Sequence, residues 1–178
     1  GPVGEGRLNL PSVVVPWPQG ARSFGGNFVV YHWRRGGPWP LVGSALMALE
    51  AWGHRQIEGG RNFGDVLDDV LGPDGSSLAF VLVAIDLALS HLRHAQDNAW
   101  PIVATPEILR HDDTRHTRDL VGVDRMLAFE PEIAGARIKR SDLDARPSRR
   151  TQLSDLIGHY GFLVPPEQCK ARRPAPGR

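Results

Sequence analysis

Residues 78–89 read Leu-Ala-Phe-Val-Leu-Val-Ala-Ile-Asp-Leu-Ala-Leu, an apolar run interrupted once, by Asp86. A segment that is apolar on every face has no solvent side, so it must lie in the middle of whatever the chain builds. Buried helix and buried parallel strand both fit the pattern, and length decides between them. Ser76 or Ser77 can cap the run, and the next break lies near Arg93, which makes it about sixteen residues long, beyond a typical strand. The spacing therefore predicts a helix over 78–93 at the centre of the core. Asp86 is expensive to bury alone. It either faces a narrow polar side or pairs with an arginine such as Arg55 or Arg93, and a structural ion pair is the expectation.

The stretch before it is amphipathic. Leu41, Val42, Ala45, Leu46, Leu49 and Trp52 recur at three- and four-residue spacing, which sets them on one face of a helix over 41–55. Gly59-Gly60 stops that helix. Glu50 belongs on its solvated side, and Ser44 serves as a small residue that lets another helix approach. Leu46, Leu49, Trp52, Phe80, Leu82 and Ile85 are the candidate core. Asn62 caps a short helix over 63–71, whose stripe is Phe63, Val66, Leu67, Val70 and Leu71. Thr105-Pro106-Glu107 supplies a cap, a first-turn proline and an acid at the positive end of the helix dipole. Further helices are expected over 117–129 and 148–159, the last ended by Gly161. Ahead of residue 40 lie two β-prone runs, 13–15 and 27–33, with glycine pairs on both sides of the second. The fold class is mainly α, stacked helices with an irregular or short β N-terminal segment. The expected organisation is an N-terminal segment over 1–40, a helical domain over 41–160 and a Pro/Arg-rich tail over 161–178.

Composition removes several classes of function. A lone Cys169 excludes an internal disulfide framework and a cysteine-based zinc site. No apolar run reaches the roughly 18–20 residues that cross a bilayer, so a soluble chain without a membrane partner is expected, and the single cysteine favours a reducing cytoplasm. Residues 61–136 hold 6 Lys and Arg against 13 Asp and Glu, while residues 137–178 hold 10 against 4. An acidic middle and a basic end can attract one another within the chain or between copies. Gly1-Pro2 has the look of a protease-cleavage remnant, in which case the chain is a piece of something larger.

Tests for chemistry find little. No Gly-x-x-x-x-Gly-Lys-Ser/Thr phosphate loop and no Gly-x-Ser-x-Gly nucleophile elbow is present, so no catalytic residue and no cofactor are expected. Histidine is the one temptation. His91 and His94 stand three apart, and residues 111–116 pack His111, His116 and two aspartates together, ligand types that can hold a divalent metal. On a helix, however, His111 and His116 diverge by about 140°. A small metal-dependent hydrolase using His91, His94, His111 and His116 is the enzyme alternative. Trp17, Trp33, Trp39, Trp52 and Trp100 read as core and interface anchors, with Trp39, Trp52, Arg149 and Arg150 the candidate interaction residues. A nucleic-acid-binding accessory domain using Arg137, Lys139, Arg140, Arg149 and Arg150 is the third alternative.

Residues 37–107 resemble a region of the large bacterial STAND-type NTPases, the class that includes antiphage-defence ATPases. The resemblance rests on Gly37-Pro38-Trp39-Pro40, the helix Ser44-Ala45-Leu46-Met47-Ala48-Leu49-Glu50-Ala51-Trp52, the acidic helix over 65–71, the serine-opened run from Ser76, and residues 101–107 ending Thr105-Pro106-Glu107. Residues 149–160, followed by Leu163-Val164-Pro165-Pro166-Glu167, extend it more loosely. The family's nucleotide-binding motifs are missing from this sequence, so the resemblance carries over no catalytic residue. It implies a helical portion outside the NTPase core, or a relative that has lost that core, acting as an interaction or regulatory module on a protein partner or on the remainder of a larger chain.

Overall fold

A computed structural model describes residues 11–27, 29–35, 40–95, 98–121 and 138–163. The chain is mainly helical, with a short two-stranded antiparallel sheet ahead of the helices. Strand β1 (Ser12–Val15) alternates as its sequence dictates: Val13 and Val15 point inward, Val14 outward. It pairs with β2 (Arg22–Gly25), where Phe24 sits opposite Val13 and is fully buried.

The second strand is not the 27–33 run that β-propensity favours. Gly26, at φ 128°, turns the backbone out of the ladder, and the Asn27 side chain accepts from the Val29 amide (2.9 Å), a local turn that opens helix α1 (Val30–Arg35). The hairpin is tied to the helices by Gly25 N–H donating to the Ser76 carbonyl (2.8 Å) and Ser23 N–H donating to Asp74 (2.7 Å). Its Val13, Val15, Trp17 and Phe24 enter the same apolar cluster as the helices, so the N-terminal segment shares one core with them.

Helix α2 (Pro40–Glu58) is followed by α3 (Phe63–Leu71), which Asn62 caps through the Gly64 amide (2.8 Å). Helix α4 (Leu78–Ser90), capped by Ser77, is buried from Leu78 to Leu89 except at the half-buried Phe80, and forms the axis of the core, as its composition requires. It ends at His91 rather than at 93, because the His91 backbone (φ −128°, ψ 48°) leaves the helical region before the short α5 (Leu92–Ala95) restarts. Helix α6 (Trp100–Val103) leads into α7 (Pro106–Val121), one continuous helix through the polar 110–118 stretch. A new helix starting at 117 is therefore not observed, and residues 122–129 lie outside the described residues. Thr105 does not show the expected capping bond; its hydroxyl donates back to the Pro101 carbonyl (2.9 Å). Helix α8 (Arg140–Asp144), a 3-10 turn (Pro147–Arg149) and α9 (Leu153–Leu163) complete the described chain. The last helix starts after residue 148 and runs through Gly161, two further differences from expectation.

Helix α2 buries a different face from the one its apolar pattern marks. Leu41 is 86% exposed, and Val42, Ser44 and Ala45 are exposed, whereas Gly43, Leu46, Glu50, Gly53, His54 and Ile57 are buried. The reason is steric. A Cβ on Gly43 would lie 2.9 Å from the Trp33 carbonyl oxygen, and one on Gly53 would lie 2.6 Å from Leu87 Cδ1. Glycines, and not Ser44, let α1 and α4 approach this helix, and the polar residues in register with them are carried inward. Leu49 and Trp52 pack at the edge of the core. No described helix is long and apolar enough to cross a membrane.

Candidate functional site

The interior holds a connected set of charges. Asp86 on α4 is fully buried and is bound by Arg35 of α1 (3.2 Å) and Arg149 of the 3-10 turn (2.7 Å), with Arg115 of α7 at 3.9 Å. Arg35 also makes a two-point contact with Asp119 (2.8 and 3.0 Å), which accepts a third hydrogen bond from the Tyr31 hydroxyl. Arg115 donates to Asp112 (2.6 Å), to Asp119 (3.1 Å) and to the carbonyls of Ser148 and Thr151. Arg149 grips both oxygens of Glu50 (3.1 and 3.2 Å). Asp112 closes the set by accepting the Leu153 amide (2.6 Å), which fixes the start of α9. Burial alone would lower Arg35 and Arg149, but the carboxylates of Asp86, Asp119 and Glu50 outweigh it and hold both guanidiniums above their ordinary value.

Beside this set lies a histidine pair. His54, fully buried on α2, places Nδ1 2.9 Å from Nε2 of His91, the residue at which α4 ends. The other nitrogen of His54 faces the Glu50 carboxylate at 3.6 Å and has no hydrogen bond. Burial, reinforced by His54, pushes the half-buried His91 down to about 4. Glu58, one turn beyond His54, is exposed and hydrogen-bonded to Arg146, which holds its carboxyl below its ordinary value. Among the described residues, His54, Glu58 and His91 form the one group of three or more metal-ligating side chains whose donor atoms lie within 4.8 Å of one another.

The structure distributes the sequence candidates unevenly. Of the four histidines proposed as a metal cluster, His91 belongs to that group and His94 stacks edge-on against it with ring centroids 6.2 Å apart. His111 and His116, on α7, are not in it. His111 lines a small apolar cavity of about 10 Å³ with Val30, Leu78 and Ile85. Arg149, expected as an interaction residue, is 4% exposed and spent on ion pairs, because Glu50 and Asp86 are buried and need a cation. Arg150 is exposed, Trp52 is half-buried beneath the Arg61 guanidinium (5.8 Å), and Trp39 and Arg137 lie outside the described residues. Glu50 corrects its placement on a solvated side: it is fully buried. Asp86 does form the expected ion pair, with Arg35 and Arg149 in place of Arg55 or Arg93. The attraction between acidic middle and basic end is realised within the chain in Arg149–Asp86, while Arg146 of the basic end pairs with Glu58, which precedes that middle.

Sequence reasoning missed Arg35, Arg115, Asp119 and His54. The signal that pointed toward the two arginines was Asp86 itself, since a carboxylate in an apolar run demands cations from elsewhere. Asp119 and His54 had no such pointer. Comparison with protein-family models, curated proteins and solved structures finds no match for this chain.

Proposed function

We propose that this chain is a helical interaction or regulatory module without catalysis of its own, related to the non-catalytic helical region of bacterial STAND-like NTPases and serving antiphage defence in the cytoplasm. One observation carries the reading: among the described residues, the buried carboxylates and guanidiniums are committed to one another as architecture. Arg35, Arg115 and Arg149 each bind two or more carboxylates, and each joins elements far apart in sequence. Such a set specifies how helices dock, and it offers no free nucleophile or phosphate cradle. The cavity beside it, lined by Arg35, Met47, Glu50 and Arg149, has a volume of about 10 Å³, room for about one water and no substrate. The exposed apolar side chains at the start of α2, Leu41 and Val42, suit contact with a partner or with the rest of a larger polypeptide.

Two measurements test this. Titration calorimetry of the chain with ATP and magnesium is expected to show no heat of binding, and micromolar binding overturns the non-catalytic reading. Sequencing the full coding region is expected to place a phosphate-binding loop in the same polypeptide. A reading frame without one overturns the reading of this chain as part of such an NTPase.

A further inference from the structure

We propose that His54, Glu58 and His91 form a binding site for one divalent ion of the zinc class, clamping the end of α2 to the joint between α4 and α5. The inference is independent of the reading above. His54 and Glu58 are one turn apart, so both project from one face of α2. His91 approaches from the bend that ends α4, where the backbone leaves helical geometry before α5.

Geometry sets the ligand chemistry. In the ion-free structure His54 Nδ1 and His91 Nε2 stand 2.9 Å apart. Two imidazole nitrogens bound to tetrahedral zinc at about 2.0–2.1 Å are separated by about 3.3 Å. An opening of a few tenths of an ångström therefore converts the hydrogen-bonded pair into a chelate. The tautomer is prepared from behind. His54 Nε2 is buried without a hydrogen bond and faces the Glu50 carboxylate at 3.6 Å. A proton on that nitrogen leaves the Nδ1 lone pair directed at His91, and a carboxylate behind a ligating histidine is the arrangement that orients metal-bound imidazoles. Arg149 holds Glu50 in place through both oxygens.

The surrounding charge favours a cation. Among the described residues, the buried carboxylates Glu50, Asp86, Asp112 and Asp119 outnumber the buried guanidiniums Arg35, Arg115 and Arg149 by one. The third ligand, Glu58, lies at the exposed side of the site and must exchange its contact with Arg146 for the ion. Two imidazoles and a carboxylate suit zinc and its neighbours better than magnesium or calcium.

The test is cobalt(II) and zinc(II) binding by the full chain after chelator treatment. Expected are one ion per chain, visible cobalt bands of tetrahedral intensity, and displacement of cobalt by zinc. His91→Ala, at a half-buried position, and Glu58→Gln, at an exposed one, are expected to weaken zinc binding by at least about tenfold. His94→Ala, which removes the neighbouring exposed imidazole, is expected to leave it within about twofold. Circular dichroism of each variant shows that the fold is retained, and if His91→Ala unfolds, Glu58→Gln decides. No uptake at micromolar metal overturns the proposal. So does octahedral cobalt, or binding that survives both ligand substitutions.

Discussion

Replacing Arg149 with methionine is the sharpest test of the buried charge set. The substitution keeps a long, flexible side chain and removes only the guanidinium. Two fully buried carboxylates then lose a partner, and the half-buried Asp144 loses a longer contact at 3.6 Å. Asp86 retains Arg35 at 3.2 Å, with Arg115 at 3.9 Å, so its loss is partial. Glu50 loses the guanidinium that binds both of its oxygens, at 3.1 and 3.2 Å, while remaining at 0% exposure. Removing one partner of a buried ion pair costs about 3–5 kcal/mol, because the surviving charge stays desolvated. For a chain of this length that is a fall of about 6–20 °C in melting temperature. Replacing Glu50 with glutamine in the same chain removes the stranded charge. The double variant is therefore expected to lose less than the two single variants together, with a coupling of about 1–3 kcal/mol. Urea unfolding followed by circular dichroism measures all four corners of the cycle. A cost below about 1 kcal/mol for Arg149→Met, or additivity within about 0.5 kcal/mol, refutes the claim that these charges hold the helices together.

Three further outcomes follow from particular contacts. Gly43→Ala sets a methyl 2.9 Å from the Trp33 carbonyl oxygen, a backbone atom that cannot swing away, and the overpacking of about 1–3 kcal/mol should exceed the helix propensity gained, lowering the urea midpoint. Asn62→Ala removes the acceptor for the Gly64 amide and should destabilise the chain by about 0.5–2 kcal/mol in the same assay. Burial, with Arg110 nearby, holds His111 below its ordinary value. The unfolded chain then takes up that proton first as acidity rises, so stability is present above about pH 6.5 and is lost as pH falls through the folded value. His111→Gln should make the difference in unfolding free energy between pH 7.5 and pH 5 smaller, and an unchanged difference refutes the assignment.

How far the sequence spoke depended on whether an element's burial follows from its own residues. Helix α4 and the stripe of α3 were legible because their apolar patterns leave one arrangement open. Helix α2 was not, since a helical wheel assigns Leu41 and Val42 inward and Glu50 outward. What decides its face is the absence of side chains at Gly43 and Gly53, a property that only the neighbours Trp33 and Leu87 reveal. The break in α4 at His91 and the turn at Asn27 were missed because local backbone chemistry overrode propensity there.

The same close approach explains why the site was half hidden. With α2 drawn against α4 through Gly53 and against α1 through Gly43, Glu50 and His54 come in on the buried side, where neither can reach water. Asp86 is already there, fixed by its place in the apolar run. Two buried carboxylates on neighbouring helices repel unless a cation lies between them, and Arg149 supplies it from beyond residue 137, the part of the chain where basic residues accumulate. The charge asymmetry of the sequence is thus in part the trace of an internal docking event. It marked that a basic segment folds back, and left the choice among its ten cations to the shape of the slot between α2 and α4. Arg149→Lys tests that last step. A single ammonium cannot span both Glu50 oxygens and Asp86 as the guanidinium fork does, so lysine should restore only part of the stability lost in Arg149→Met. Full restoration by lysine would mean that charge alone, and not the shape of the fork, selects the residue.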